Sequence, residues 1–114
     1  MDSFDAMMVA LRFNEKINQR DLEGLSALMT DDHTFIDNSG DVDSNMKEGW
    51  RQFFEHHPDY RNIFTSVTVR NNVVVIVGYS TCSNEPRLKG PSMWTARIRD
   101  GNVSEWRVYW LDQR

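Results

Sequence analysis

The sequence predicts an α+β domain: helices gathered in the first half, and a strongly bent, mostly antiparallel sheet wrapped on them. Three observations carry this. Up to Pro58, apolar side chains recur mainly at helical spacing, with one short interruption. Beyond Pro58 the strand-forming residues dominate. Two turn signals, Asn71-Asn72 and Asp100-Gly101, divide those later runs. Elements segregated in this way argue α+β rather than alternating α/β. The chain of 114 residues fits a single domain, 1–114, and can bury a real core without staples.

The first helix is expected over Ser3 to Gln19, where Phe4, Met7, Met8, Leu11, Phe13 and Ile17 keep to one broad face. Asp21 reads as the cap of a second, short helix whose buried side is Leu22, Leu25, Leu28 and Met29. His33 to Asp37 reads as a short strand ended by the Asn38-Ser39-Gly40-Asp41 turn. Alternation puts His33, Phe35 and Asp37 on one of its faces. Asn45 and Glu48 suggest a capping box for a third helix. Trp50, Phe53, Phe54 and His57 form its apolar stripe, and Pro58 stops it.

Strands follow over Tyr60 to Arg70, Val73 to Cys82, Ser92 to Arg99 and Asn102 to Leu111. Ile63, Thr65, Val67 and Val69 alternate in the first. The second opens on five apolar residues, a pattern of strands covered on both faces. A polar loop spans Ser83 to Gly90 and is a candidate lid. If Arg99 faces Asn102 across the last hairpin, Thr95 faces Trp106 and Met93 faces Val108. Trp106, Thr95 and Val108 are then expected inward with Trp110, and Trp94 outward. Both faces of the hairpin are substantially apolar. One can pack on the helices around a cavity, and the other needs a cover, most simply a second copy of the chain.

Composition excludes several classes. Hydrophobic residues at 39% and charged residues at 26% make an ordinary globular chain, not a disordered one. A net charge of -4, with no basic stripe, argues against nucleic acid and against an anionic membrane surface. No run reaches the length of a membrane span. Cys82, the single cysteine, excludes an internal disulfide and favours a reducing compartment. It reads as a buried filler. The opening residues lack the charged and then apolar regions of a signal peptide, so the expected location is the cytoplasm.

The segment Ala27-Leu28-Met29-Thr30-Asp31-Asp32-His33-Thr34-Phe35-Ile36-Asp37 resembles the one that carries the general base in ketosteroid isomerases. Arg12-Phe13, Asn18 to Leu22, the Pro58-Asp59-Tyr60 corner and the run Asp100 to Tyr109 are similar to the SnoaL-like branch of the nuclear transport factor 2-like superfamily. The resemblance covers nearly the whole chain. It implies a cone-shaped, cystatin-like fold around an apolar pocket, with Asp37 at the base position. The isomerases' oxyanion-donating tyrosine would fall at Phe13, and their protonated acid near Trp94 or Thr95. Neither donor is kept, which argues against steroid isomerisation itself. The limonene epoxide hydrolase variant would need an acid at Val108.

The resemblance implies a pocket for a small apolar molecule, with Phe13, Phe35, Trp50, Phe54, Tyr60, Thr95, Trp106 and Val108 as its walls. Asp37 in an apolar pocket would have its ionised form disfavoured, raising its pKa toward general-base use. The alternative is that Asp37 caps the following turn through the backbone. His33, on the same face and about 7 Å away by strand rise, is a candidate catalytic partner or a satisfied structural histidine. His56 and His57 suit a helix C-terminus. Asp37, Ser39, Asp41, Asp43, Asn45 and Glu48 match a calcium-loop frame, but Val42 stands where glycine is needed. No zinc set and no nucleotide motif occurs, so no metal and no cofactor is expected. Two functions remain: a cofactor-independent isomerase, cyclase or dehydratase on a carbonyl compound, or a non-catalytic ligand-binding or dimerisation module.

Overall fold

The computed structural model describes residues 3–110, with the backbone alone at Trp110. The chain forms α1 (Ser3–Gln19), α2 (Leu22–Ala27), β1 (Met29–Ile36), β2 (Val42–Asp43), α3 (Met46–His56), β3 (Arg61–Arg70), β4 (Val73–Thr81), a 3-10 turn (Pro86–Leu88), β5 (Gly90–Arg99) and β6 (Asn102–Trp110). Three helices lie against one open six-stranded sheet in the order β2-β1-β6-β5-β4-β3. Every neighbouring pair is antiparallel except β1 with β6, which run parallel.

Local chemistry sets the ends. Asp21 caps α2 by accepting from the Gly24 N–H at 2.9 Å. Met29 belongs to β1, not to α2 as its spacing suggested, because the parallel pairing with Val103 begins there. Asn45 sits at the N-cap of α3 but makes no side-chain cap bond. The expected capping box does not form; Glu48 turns instead to Arg51 and Gln52. Asn71, Asp100 and Gly101 take positive φ at the two hairpin turns, as their residue types allow. Leu111, expected to end β6, lies outside the described residues.

α1 lays Ala6, Val9, Ala10, Phe13 and Ile17 onto the sheet, where Val74, Ile76, Ala96, Ile98 and Val103 complete the core. Of the face expected from spacing only Phe13 and Ile17 are buried; Phe4 is 66% exposed, and Met7, Met8 and Leu11 are half-buried. The outer face of β4 is left half-covered: Val77 is 36% and Tyr79 43% exposed. Covering on both faces, expected from five apolar residues in a row, is therefore not met within one chain. Cys82 is buried. No helix among the described residues is long and apolar enough to cross a membrane.

Two extra residues control which side chains face inward. In β3, Phe64 pairs with Gly78 and Ser66 with Val77, so Thr65 has no partner. Asn62 and Phe64 point inward before this bulge, and Val67 and Val69 after it; the even alternation expected for Ile63, Thr65, Val67 and Val69 is broken. In β6, Ile98 pairs with Val103 and Arg97 with Glu105, leaving Ser104 unpaired. Past Ser104 the register is shifted by one. Trp106 faces Ala96 and Val108 faces Trp94. Trp94 is consequently buried on the inner face, and Thr95 lies opposite Arg107 on the outer one, a correction to both expectations.

Candidate functional site

A cavity of about 500 Å³ opens between α3, the turn after β1 and the inner face of β5 and β6. Met46, Gly49, Trp50 and Phe53 are the stripe of α3 that lines it. Trp94, Trp106, Val108 and Phe35 form the sheet side, and Leu88 reaches in from the 3-10 turn. Asp37, Asn38, Ser39, Asp43 and Gln52 supply the polar lining. The aromatic walls brace one another: Trp50 meets Phe35 and Phe53 edge-on, at 5.9 and 5.5 Å between centroids.

Asp37 stands one residue beyond β1, in the turn. Its Oδ1 accepts from the Ser39 hydroxyl at 2.6 Å, the Ser39 N–H at 2.9 Å and the Asp41 N–H at 3.0 Å. The Ser39 hydroxyl, and after it the turn's N–H groups, hold its pKa below the usual carboxylate value, outweighing desolvation. The expected upward shift is thus reversed. Asp37 lines the cavity and caps its own turn at once.

His33 is 3% exposed and sits in the core against Phe13, outside the cavity lining. Its Nδ1 lies 2.7 Å from the Val103 carbonyl, so Nδ1 carries the proton and Nε2 is a buried lone pair without a partner. Burial, only partly opposed by that bond, pushes its pKa down.

Phe13 also lies behind the wall, fully buried and 4.8 Å from the Trp106 ring. Phe54 is not in the lining; it carries the Arg20 guanidinium 5.5 Å from its centroid. Arg20 holds the corner after α3, donating to the carbonyls of Pro58, His57 and Tyr60. The Tyr60 ring lines the cavity, but its hydroxyl meets Ser80 at 3.3 Å in the interior rather than at the mouth, and Ser80 in turn donates to Asn62 at 2.9 Å. The loop after β4 is tied to the end of α3 by Asn84, which donates to the His56 carbonyl at 2.7 Å.

Met46, Gly49, Phe53, Leu88 and Trp94 are lining residues that the sequence reading did not place there. Extending the Trp50-Phe53 stripe back one turn would have found Met46 and Gly49. Among the described residues no group of three or more His, Cys, Asp or Glu side chains could hold a metal ion.

The pattern of SnoaL-like domains matches residues 10–106. The chain belongs to the SnoaL-like family. Three solved structures share its fold. One, from Kribbella flavida and assigned as a ketosteroid isomerase, superposes with a TM-score of 0.81 at 16% identity, over 99% of this chain and 82% of its own. A protein of Sinorhizobium meliloti assigned as a polyketide cyclase gives 0.79 at 14% identity, over 95% and 99%. An M. tuberculosis epoxide hydrolase of the LEH-like kind gives 0.78 at 11% identity, over 94% and 83%. No curated protein matches this SnoaL-like sequence.

Proposed function

We propose that this SnoaL-like chain takes a small, largely apolar molecule into the cavity between α3 and the sheet, and that binding is its primary task. The cavity carries the reading: about 500 Å³, walled by Trp50, Trp94, Trp106, Phe35 and Val108, with polar groups along one side. That size and lining are those of small-molecule sites. Val108 occupies the position where the epoxide-opening variant would need an acid, so that chemistry is not proposed.

A second reading, acid–base catalysis without a cofactor, is favoured by Asp37 lining the cavity and by the likeness to proteins assigned as an isomerase and a cyclase. Its lowered pKa makes Asp37 ionised but weakly basic. It therefore suits only a C–H acidified by a carbonyl and a further activating group. Asp37 would take that proton, and the electron pair would move onto the carbonyl oxygen as an enolate. Returning the proton to another carbon isomerises the compound; attack of the enolate on a second carbonyl closes a ring.

2-Tetralone, an apolar bicyclic ketone with a benzylic C–H beside its carbonyl, separates the readings. Binding is followed by tryptophan fluorescence, and exchange of that C–H into D2O by NMR. A binder holds 2-tetralone equally well in the wild type and in Asp37→Asn, with exchange no faster than in buffer. A catalyst speeds exchange, and Asp37→Asn abolishes the acceleration with affinity kept. Absence of binding by both 2-tetralone and its parent hydrocarbon, tetralin, contradicts both.

The outer sheet face supports a further proposal, a homodimer. Val77 and Tyr79 are exposed there, with Val75, Met93 and Tyr109 half-buried beside them. Arg107, stacked 4.9 Å over Tyr109, keeps a buried Nε with no acceptor among the described residues. A second copy would cover this patch. Sedimentation of the wild type at dimer mass, and of Val77→Lys at monomer mass, would support it; a monomeric wild type would refute it.

A further inference from the structure

The cavity is polarised. Trp50, Trp94 and Trp106 wall it on the inside, none of them more than 5% exposed. The polar lining lies nearer to water: Asn38, Ser39, Asp43 and Gln52 are exposed, and Asp37 is half-buried. A molecule that fills this space meets aromatic rings within and carboxylates at the mouth.

The charges in the lining have one sign. Asp37 and Asp43 are its charged side chains, and no Lys, Arg or His stands among the described residues that form it. Asp41 adds a carboxylate in the same turn, accepting from the Ser39 hydroxyl at 3.2 Å. The nearby cations of α3 are engaged elsewhere, Lys47 with Glu23 at 3.0 Å and Arg51 with Glu48 and Glu55. Arg87 and Lys89 flank Leu88 in the chain, but both are exposed and outside the lining, and Arg87 pairs with Glu85 at 2.8 Å. The groups that hold Asp37 ionised are the Ser39 hydroxyl and backbone N–H groups. Such neutral donors stabilise a carboxylate without cancelling its charge.

We propose that the cavity selects an organic cation: a compact apolar body seated against the tryptophans, with an ammonium group at the mouth beside Asp37 and Asp43. The inference rests on the pocket reading above and specifies its ligand class. At the mouth the ammonium keeps part of its hydration, so it escapes most of the penalty of a fully buried charge. An anion in the same place would meet only repulsion and would find no cation to pair with. An ammonium engaged by Asp37 also leaves that carboxylate no role as a base, which accords with binding as the primary task.

The test uses three compounds that share one bicyclic body and differ in charge: 2-aminotetralin, tetralin and tetralin-2-carboxylate. Affinities are read from tryptophan fluorescence at about pH 7, where an alkyl amine is protonated. At about 10 mM salt the amine is expected to bind about tenfold more tightly than tetralin, and the carboxylate at least about tenfold more weakly than the amine. Raising the salt to about 1 M should shrink both gaps, because exposed charges are then screened. Asp37→Asn, which can still accept the turn's hydrogen bonds, is expected to cut the preference for the amine by about threefold and to change tetralin by less than about twofold. Should that variant fold poorly, the charge series and its salt dependence in the wild type decide. Equal binding of amine and tetralin at low salt leaves the pocket standing and overturns the selection of a cation, as does tightest binding of the carboxylate. Amide shifts from the amine confined to residues 37–43, with Trp94 and Trp106 unmoved, overturn it too, by placing the amine on the turn alone. If none of the three binds, the pocket reading fails and this inference with it.

Discussion

The Ser39 hydroxyl donates to Asp37 Oδ1 at 2.6 Å, at the point where the polar turn meets the cavity. This bond is the first cause of the lowered Asp37 pKa. Ser39→Ala is therefore expected to raise it toward the ordinary carboxylate value, about 3.9, as read from the side-chain carboxyl carbon in an NMR titration. Because folding lowers this pKa, the Asp37 contribution to stability is present above the ordinary value and is lost as pH falls through the folded one. Asp37→Asn should accordingly flatten the acid limb of the stability curve. An unchanged pKa in Ser39→Ala would mean that the backbone N–H groups alone set it.

His33 gives a pH dependence of the other kind. Its folded pKa is depressed by burial, with Asp32 and Glu105 too weak to restore it. Above the unfolded value of about 6.5 both states are neutral and nothing is gained or lost. Below it the unfolded chain binds a proton that the folded chain refuses, so stability falls with pH until the folded pKa is reached. Thermal melts at about pH 7.5 and about pH 5.5 should show a drop in the wild type that shrinks in His33→Asn. Equal drops would assign the acid sensitivity elsewhere.

Ser104 sets the inward face of β6. Deleting it would restore even pairing and carry Trp106 and Val108 to the outer face. Removing a fully buried tryptophan from a core costs about 3–5 kcal/mol, so the deletion variant should be largely unfolded or strongly destabilised in urea. A variant that kept wild-type stability would show that the bulge can migrate along the strand.

Gly78 lies opposite the β3 bulge, where a Cβ would fall 2.0 Å from the Ile63 carbonyl oxygen. Backbone, not a flexible side chain, would have to move. Gly78→Ala should lower stability by about 2 kcal/mol or more, seen as a reduced urea midpoint. A change within about 0.5 kcal/mol, typical of open surface sites, would mean that the bulge accommodates the methyl group freely.

What the sequence made legible was whatever rests on local chemistry. The α3 stripe follows from helical spacing, and the hairpin turns from residues that tolerate positive φ at Asn71, Asp100 and Gly101. The face of α1 does not, because the small residues Ala6, Val9 and Ala10, not Phe4, pack closely on the sheet. The bulges at Thr65 and Ser104 have no such signature, since an extra residue in a strand of ordinary composition looks like its neighbours. One unpaired serine was enough to exchange Trp94 and Thr95 between faces. The turn after Asp37 was readable, but its effect on the carboxylate was not: that depends on where the Ser39 hydroxyl points. The unpartnered nitrogens of His33 and Trp50 arise from packing between distant segments, which spacing along the chain does not encode.

The proposed ligand site is the cavity between α3 and the sheet. The most direct measurement is a backbone amide NMR map of the protein titrated with 2-tetralone. Saturable shifts concentrated at Ser39, Gly49, Trp50, Phe53, Trp94 and Trp106 are expected if the ligand enters there. Shifts confined to Val77, Tyr79 and Met93 on the outer face, or none at all, would contradict it.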